Sequence, residues 1–208
     1  MTPIIKAYFT DMGFEVANMA IQTHGGMGFI HETGVEQYAR DARITMIYEG
    51  TNGIQVLDLV GRKMGQHFGR SLRQFFHPAQ AFLEENQADE NLSEFIFPFA
   101  KAFAKLQQAS ITVATNSLKN RDEAGAASTD YLRMFSLVVI AFCWLKMIKV
   151  AQAKIEAGEG NKKFYETKIK TGRFFFEKML PEANWRFKSL SSGAASMMAL
   201  DEDDFVAT

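Results

Sequence analysis

The stretch Leu92–Leu118, LSEFIFPFAKAFAKLQQASITVATNSL, sets the fold class. Leu92, Ile96, Phe99, Phe103, Leu106, Ser110, Val113 and Ser117 alternate steps of four and three. That spacing is a heptad-like seam along one face of a helix, apolar at most positions. Pro98 falls near the first turn of this helix or marks a kink. Downstream, 129–157 reads as a second helix, capped by Ser128 or Thr129 and ended by Gly158. Its middle, Leu137–Leu145, is apolar on every side, which predicts the central and most buried helix of a bundle. A third helix is expected over 162–180, stopped by Pro181. Residues 181–208 are rich in Ser, Ala and Met and carry the acidic run Asp201–Asp204. They read as a partly flexible tail.

The helical period continues upstream. A first helix is expected from Pro3 to about Thr23, with Thr2 as N-cap and Pro3 at its first position. Ile5, Tyr8, Met12, Val16 and Met19 form its apolar face. Gly25-Gly26 stops it, and residues 25–34 read as a glycine-rich loop. A short helix is predicted over 35–41. The segment ITMIY, 44–48, is either extended or the buried end of a helix. A further helix follows Gly50, capped by Thr51 or Asn52, with Ile54, Leu57, Gly61 and Met64 on one side. Residues 66–76 could continue this helix, and Pro78 is expected to end it. The acidic spacer ENQADEN, 85–91, is the expected boundary between a unit at 1–84 and a second at 85–180. With four prolines in 208 residues and long runs without breakers, the chain reads as all-α.

Composition narrows the function. The chain has 23 Lys+Arg, 24 Asp+Glu and a net charge of −1, with 47% hydrophobic and 23% charged residues. These values exclude a disordered chain and remove the electrostatic basis of a general nucleic-acid binder. A single cysteine, Cys143, excludes an internal disulfide and a multi-thiolate zinc site. It lies in an apolar helix, where a buried structural thiol is expected. The longest uninterrupted apolar run has nine residues, Leu137–Leu145, so no transmembrane helix is expected where about 20 are needed. No signal-peptide pattern, P-loop, Gly-x-Ser-x-Gly or helical His-pair zinc motif is present.

One region departs from ordinary bundle packing: QTHGGMGFIHETGVEQYARDARITMIYEGTNGIQ, 22–55. Gly25, Gly26 and Gly28 leave backbone amides unshielded, which allows close approach of a phosphate or dinucleotide but also suits a plain helix stop. Glu49 stands just outside a helix start, where a carboxylate can be a base or only a dipole partner.

Two motifs in this region, QTHGGMGF at Gln22–Phe29 and RDARITMIYEGTNGIQ at Arg40–Gln55, resemble the C-terminal helical domain of flavin-dependent acyl-CoA dehydrogenases in residues, order and separation. The stretch Tyr48–Met64, YEGTNGIQVLDLVGRKM, is most similar to the branch that includes 3-methylmercaptopropionyl-CoA dehydrogenase, whose members carry an extra C-terminal helical domain. The resemblance implies part of a four-helix-bundle domain followed by an additional helical bundle. It also implies that the chain is a fragment, inactive alone, with the β-domain and the first bundle helices outside it.

The resemblance implies the chemistry too. Glu49 would be the base that takes the α-proton of an acyl-CoA thioester while a hydride leaves the β-carbon for FAD. The Glu49 amide would help bind the thioester carbonyl, an oxyanion-hole role. Tyr48 and Gly50 would lie beside substrate, and Thr51 beside the cofactor. Gln22, Gly25 and Gly26 would contact the ADP half of an FAD held by a neighbouring subunit of a homo-oligomer. Arg40, Asp41 and Arg43 are expected to form structural ion pairs holding the loop. Gly53 stands where many family members have Gln. The implied acceptor is electron-transfer flavoprotein or a similar carrier, and the implied location is bacterial cytoplasm or a mitochondrial matrix. Two other readings stand beside this one. An acyl-CoA oxidase is disfavoured by Thr51, since oxidases commonly carry Asp there. The other is a non-catalytic helical oligomerisation or docking module.

Overall fold

The computed structural model describes residues 1–206. Among them the secondary structure is entirely helical, with no strand. The helices are α1 Thr2–His24, the single turn α2 Gly26–Phe29, α3 Val35–Thr45, α4 Asn52–Asp58, α5 Arg70–Asn86, α6 Ser93–Lys119, α7 Arg121–Glu156, α8 Lys162–Phe174 and α9 Glu182–Leu190. Helix α4 runs on through a π-helical turn, Leu59–Lys63, and α8 through another, Phe175–Met179.

Helix α7 is the axis of the molecule, packing against α1, α4, α6, α8 and α9. Its Tyr131, Met134, Leu137, Val138, Ala141, Leu145 and Ile148 are fully buried. By length and composition α7 could also cross a membrane, contrary to the reading from uninterrupted apolar runs. More than half of its most apolar window is buried inside the bundle, as in a core helix. Leu92, Phe99, Phe103, Leu106, Ser110 and Val113 of the predicted seam are buried against it. Phenylalanines join three helices. Phe75 of α5 lies 5.3 Å from Phe135 of α7, centroid to centroid, and Phe99 stacks on Phe103 at 5.6 Å within α6. One continuous core runs from Ile4 to Leu190.

Several expectations are corrected. Met1, not Thr2, precedes α1 as its cap residue, with no side-chain bond. The buried face of α1 is Pro3, Ile4, Ala7, Tyr8 and Ala17, whereas Ile5, Val16 and Met19 are exposed. Of the two readings of 44–48, the helix end holds for Ile44 and Thr45, which close α3, but Ile44 is exposed and 46–49 is a turn. In α4, Ile54 and Leu57 are exposed, and Val56, Leu59, Val60 and Met64 are buried. Pro78 lies inside α5, which continues because Phe75, Ala79 and Asn86 remain buried. Helix α7 begins at Arg121, where Asn120 accepts from the Asp122 N–H, a capping bond stronger in position than anything Ser128 offers mid-helix. Cys143 is exposed, because it falls on the side of α7 opposite the core positions Ala141, Phe142 and Leu145. Arg40, Asp41 and Arg43 form no ion pair among the described residues; Asp41 accepts from Gln37 and Arg43 points at the Met46 sulfur.

Residues 182–190, placed by sequence in the tail, form α9 and pack on α7. Their attachment is ionic as well as apolar. Arg133 of α7 donates to Glu182 at 3.0 Å, and Arg186 reaches both Glu182 and Asp130. Arg133 also lies over the Tyr8 ring of α1 at 4.7 Å.

Candidate functional site

The turn between α3 and α4 is one of two places among the described residues where non-glycine backbone is left-handed, the other being His67–Phe68. Glu49 has φ +53 and Gly50 φ +84. Left-handed backbone suits glycine, and a glutamate held there stores strain that the surroundings must maintain. On the entry side the Tyr48 N–H donates to the Ile44 carbonyl at 3.1 Å. On the exit side the Asn52 N–H donates to the Met46 carbonyl at 3.1 Å. The Thr51 hydroxyl accepts from the Ile54 N–H at 3.3 Å and caps α4. The amides of Glu49, Gly50 and Thr51 have no hydrogen-bond partner among the described residues. Tyr48, Glu49, Gly50 and Thr51 are all exposed. The site therefore presents a carboxylate with unpaired donors directly beside it. That pairing can hold a carbonyl oxygen while a nearby proton is removed.

Asn52, which sequence treated only as an alternative cap, ties this turn to α1. Its Oδ1 accepts from Lys6 Nζ at 2.8 Å. Its Nδ2 donates to an Asp11 carboxylate oxygen at 2.6 Å and to Thr10 Oγ1 at 2.9 Å, and the Ala7 carbonyl shares one of these two protons at 3.2 Å. Only its place directly before an apolar helix could have marked it, and that signal equally marks a cap.

At the other end of α1, Gly25 has φ +58 and donates to the Gln22 carbonyl at 3.1 Å. Gln22, Gly25 and Gly26 are exposed, and a Cβ on Gly26 would meet nothing within 4 Å. Gly28 is different in kind. It is buried, and a Cβ there would sit 2.4 Å from the Ile21 carbonyl oxygen. The stretch read as a loop thus folds back on α1 through Gly28 and exposes bare backbone at Gly25–Gly26, which suits close approach by a large polyanionic group.

The two motifs are not brought together. The Glu49 turn is anchored near Thr10 and the glycine turn sits at residue 25, so α1 separates them by about 20 Å at 1.5 Å per residue. Neither lines any of the main cavities. The largest, about 760 Å³, opens between Val60–Phe76 and α6 and has an apolar lining. Among the described residues no group of three or more His, Cys, Asp or Glu is placed to hold a metal ion.

Residues 1–64 match the family model described as acyl-CoA dehydrogenase, C-terminal domain, and residues 75–201 match acetyl-CoA dehydrogenase C-terminal like. The chain is 31% identical over 202 residues to 3-methylmercaptopropionyl-CoA dehydrogenase of Ruegeria pomeroyi, covering 95% of this chain and 34% of that protein. It is 28% identical over 213 residues to the broad-specificity linear acyl-CoA dehydrogenase FadE5 of Mycobacterium tuberculosis, covering 99% and 35%. A butyryl-CoA dehydrogenase of Syntrophomonas wolfei is 29% identical over 183 residues, covering 86% and 30%. The chain thus spans about a third of the length of the curated relatives it matches.

Proposed function

Because this chain belongs to the acyl-CoA dehydrogenase family, we propose that it carries the base-bearing helical part of an FAD-dependent enzyme that converts an acyl-CoA thioester to its 2,3-enoyl-CoA. The observation that carries this reading is the left-handed Glu49–Gly50 turn, with an exposed carboxylate and unpaired amides at one point. The α-proton passes to the Glu49 carboxylate, and the electron pair of that C–H bond becomes the Cα=Cβ bond as the β-hydride departs. FAD, when bound, supplies the hydride acceptor. The thioester carbonyl must be polarised for so weak an acid to lose its proton, and the Glu49 N–H is free to donate to it.

Tyr48 and Gly50 flank the substrate, and Thr51 lies beside the cofactor. The exposed backbone of Gly25–Gly26, with Gln22, receives the ADP half of an FAD from a neighbouring protomer. The separation along α1 supports this division, since one small group cannot occupy both ends. Glu49 is exposed, so in this reading the ligand covers it. Residues 1–84 are the flavin-side unit in this reading and 85–180 the helical extension. The electron acceptor is an electron-transfer flavoprotein or similar carrier, and the setting is a bacterial cytoplasm or mitochondrial matrix.

The test is Glu49→Gln in the complete flavoenzyme. Stopped-flow flavin reduction should slow by about 10²–10⁴-fold, the range for loss of a general base, while acyl-CoA still binds. Reduction at the wild-type rate would remove Glu49 from the chemistry.

A further inference from the structure

We propose that Asn52 is the positioning residue of this site: its carboxamide clamps the left-handed Glu49–Gly50 turn to α1 and so aims the Glu49 carboxylate. The inference rests on the reading of Glu49 as base. Among the described residues, every hydrogen bond between 46–54 and α1 runs through this one side chain.

The carboxamide can sit only one way round. Its oxygen faces the Lys6 ammonium at 2.8 Å and its nitrogen faces the Asp11 carboxylate at 2.6 Å. Flipping it would set NH₂ against a cation and oxygen against an anion. Thr10 fits the same polarity. Its single proton goes to the Lys6 carbonyl at 2.6 Å, which leaves a lone pair to accept from Asn52 Nδ2 at 2.9 Å. Lys6, Thr10 and Asp11 lie on consecutive turns of a 23-residue helix, so the clamp is fixed to a rigid element rather than to another loop.

The turn needs such an outside hold. Among the described residues its own amides at 49, 50 and 51 are unbonded, and the one side-chain hydrogen bond to the Gly50 carbonyl is long, 3.4 Å from Gln55. The helix beyond the turn does not depend on Asn52. Val56, Leu59, Val60 and Met64 bury it in the core. Loss of the carboxamide should therefore free the turn and leave the bundle docked. A carboxylate displaced by about 1 Å from a reacting proton can cost on the order of 10²-fold in rate.

Two variants test this: Asn52→Ala, and the exchange Asn52→Asp with Asp11→Asn, which keeps one amide–carboxylate bond with its polarity reversed. The first readout needs no flavin. In the 208-residue chain, exchange of the amides at positions 47, 48 and 52, which bond to the Ile44 and Met46 carbonyls, should accelerate by about tenfold or more in Asn52→Ala, with α7 unchanged, and the exchange pair should restore part of the protection. The second readout is the complete flavoenzyme. Asn52→Ala should lower the limiting rate of flavin reduction by about 10- to 100-fold, change acyl-CoA affinity less than about threefold, and be partly rescued by the pair. Unchanged exchange in Asn52→Ala overturns the clamp. A loosened turn with an undiminished limiting rate overturns the positioning role. Glu49→Gln run in parallel keeps the two readings apart: if it too leaves the rate unchanged, the assignment of the base has failed, while the exchange data still decide whether Asn52 holds the turn.

Discussion

Gly26 and Gly28 stand two residues apart and are glycines for different reasons. A methyl at Gly28 would collide with the Ile21 carbonyl, which belongs to backbone and cannot swing away. Gly28→Ala should cost about 1–3 kcal/mol in urea denaturation of the 208-residue chain, the usual penalty for overpacking. Gly26 has open space where its Cβ would be. Gly26→Val should leave that denaturation midpoint nearly unchanged. On the proposed cofactor contact, the same change should lower bound flavin and oligomer mass together in the complete enzyme, read by absorbance and light scattering. Full flavin in an intact oligomer would make this turn a helix stop only. The glycine pattern is legible in sequence, but the division of labour within it is not, because it depends on how close the turn returns to α1. Glu49 is similar. Gly50 beside it signals a turn, yet its left-handed backbone is held through Asn52 by residues 41 to 46 positions away in the chain.

Periodicity places the apolar face of α1 only in part: Tyr8 is buried and Met12 packs half-buried on the core, while the other members fall outside it. Ile5, Val16 and Met19 keep the spacing of a buried face but are 51–60% exposed. The neighbouring stripe of Ile4, Ala7 and Tyr8 is smaller in apolar bulk and is the one that meets α7 and α4. Ile4→Ala should therefore destabilise the chain by about 2–5 kcal/mol. Val16→Ser should stay within about 0.5 kcal/mol. Thermal unfolding of the two variants decides which face is core. By contrast the α6 seam reads correctly, because its other side carries Lys101, Lys105 and Gln108 and leaves the period one solution. Pro78 misleads for a related reason. A proline removes one amide bond, whereas the aromatic core fixes α5 on both sides of it, through Phe75 before and Phe82 after.

At the scale of the whole molecule, the centre of the bundle holds a buried tyrosine–serine pair. Tyr131 is fully buried, and its hydroxyl donates to Ser110 Oγ at 2.7 Å, while Ser110 donates to the Leu106 carbonyl. Burial raises the Tyr131 phenol far above its ordinary value, an effect that the Ser110 bond offsets only in part. The native state thus keeps this proton after the unfolded chain has released it, so stability falls as pH rises past about 10. The loss attributable to this group approaches about 1.4 kcal/mol per pH unit. Urea midpoints at pH 9 and pH 11 should converge in Tyr131→Phe relative to wild type, at the cost of about 1 kcal/mol at neutral pH for the lost hydrogen bond. Helix α1 has a different kind of authority over the molecule. It anchors the Glu49 turn near its start and the glycine turn at its end, with a continuous α-helix between them. One codon inserted between Asp11 and Ile21 would swing the distal turn by about 100° and push it out by about 1.5 Å. Point substitutions on its exposed stripe leave that phase untouched. Across homologous genes, α1 should therefore accept changes of letter freely while resisting any change of length.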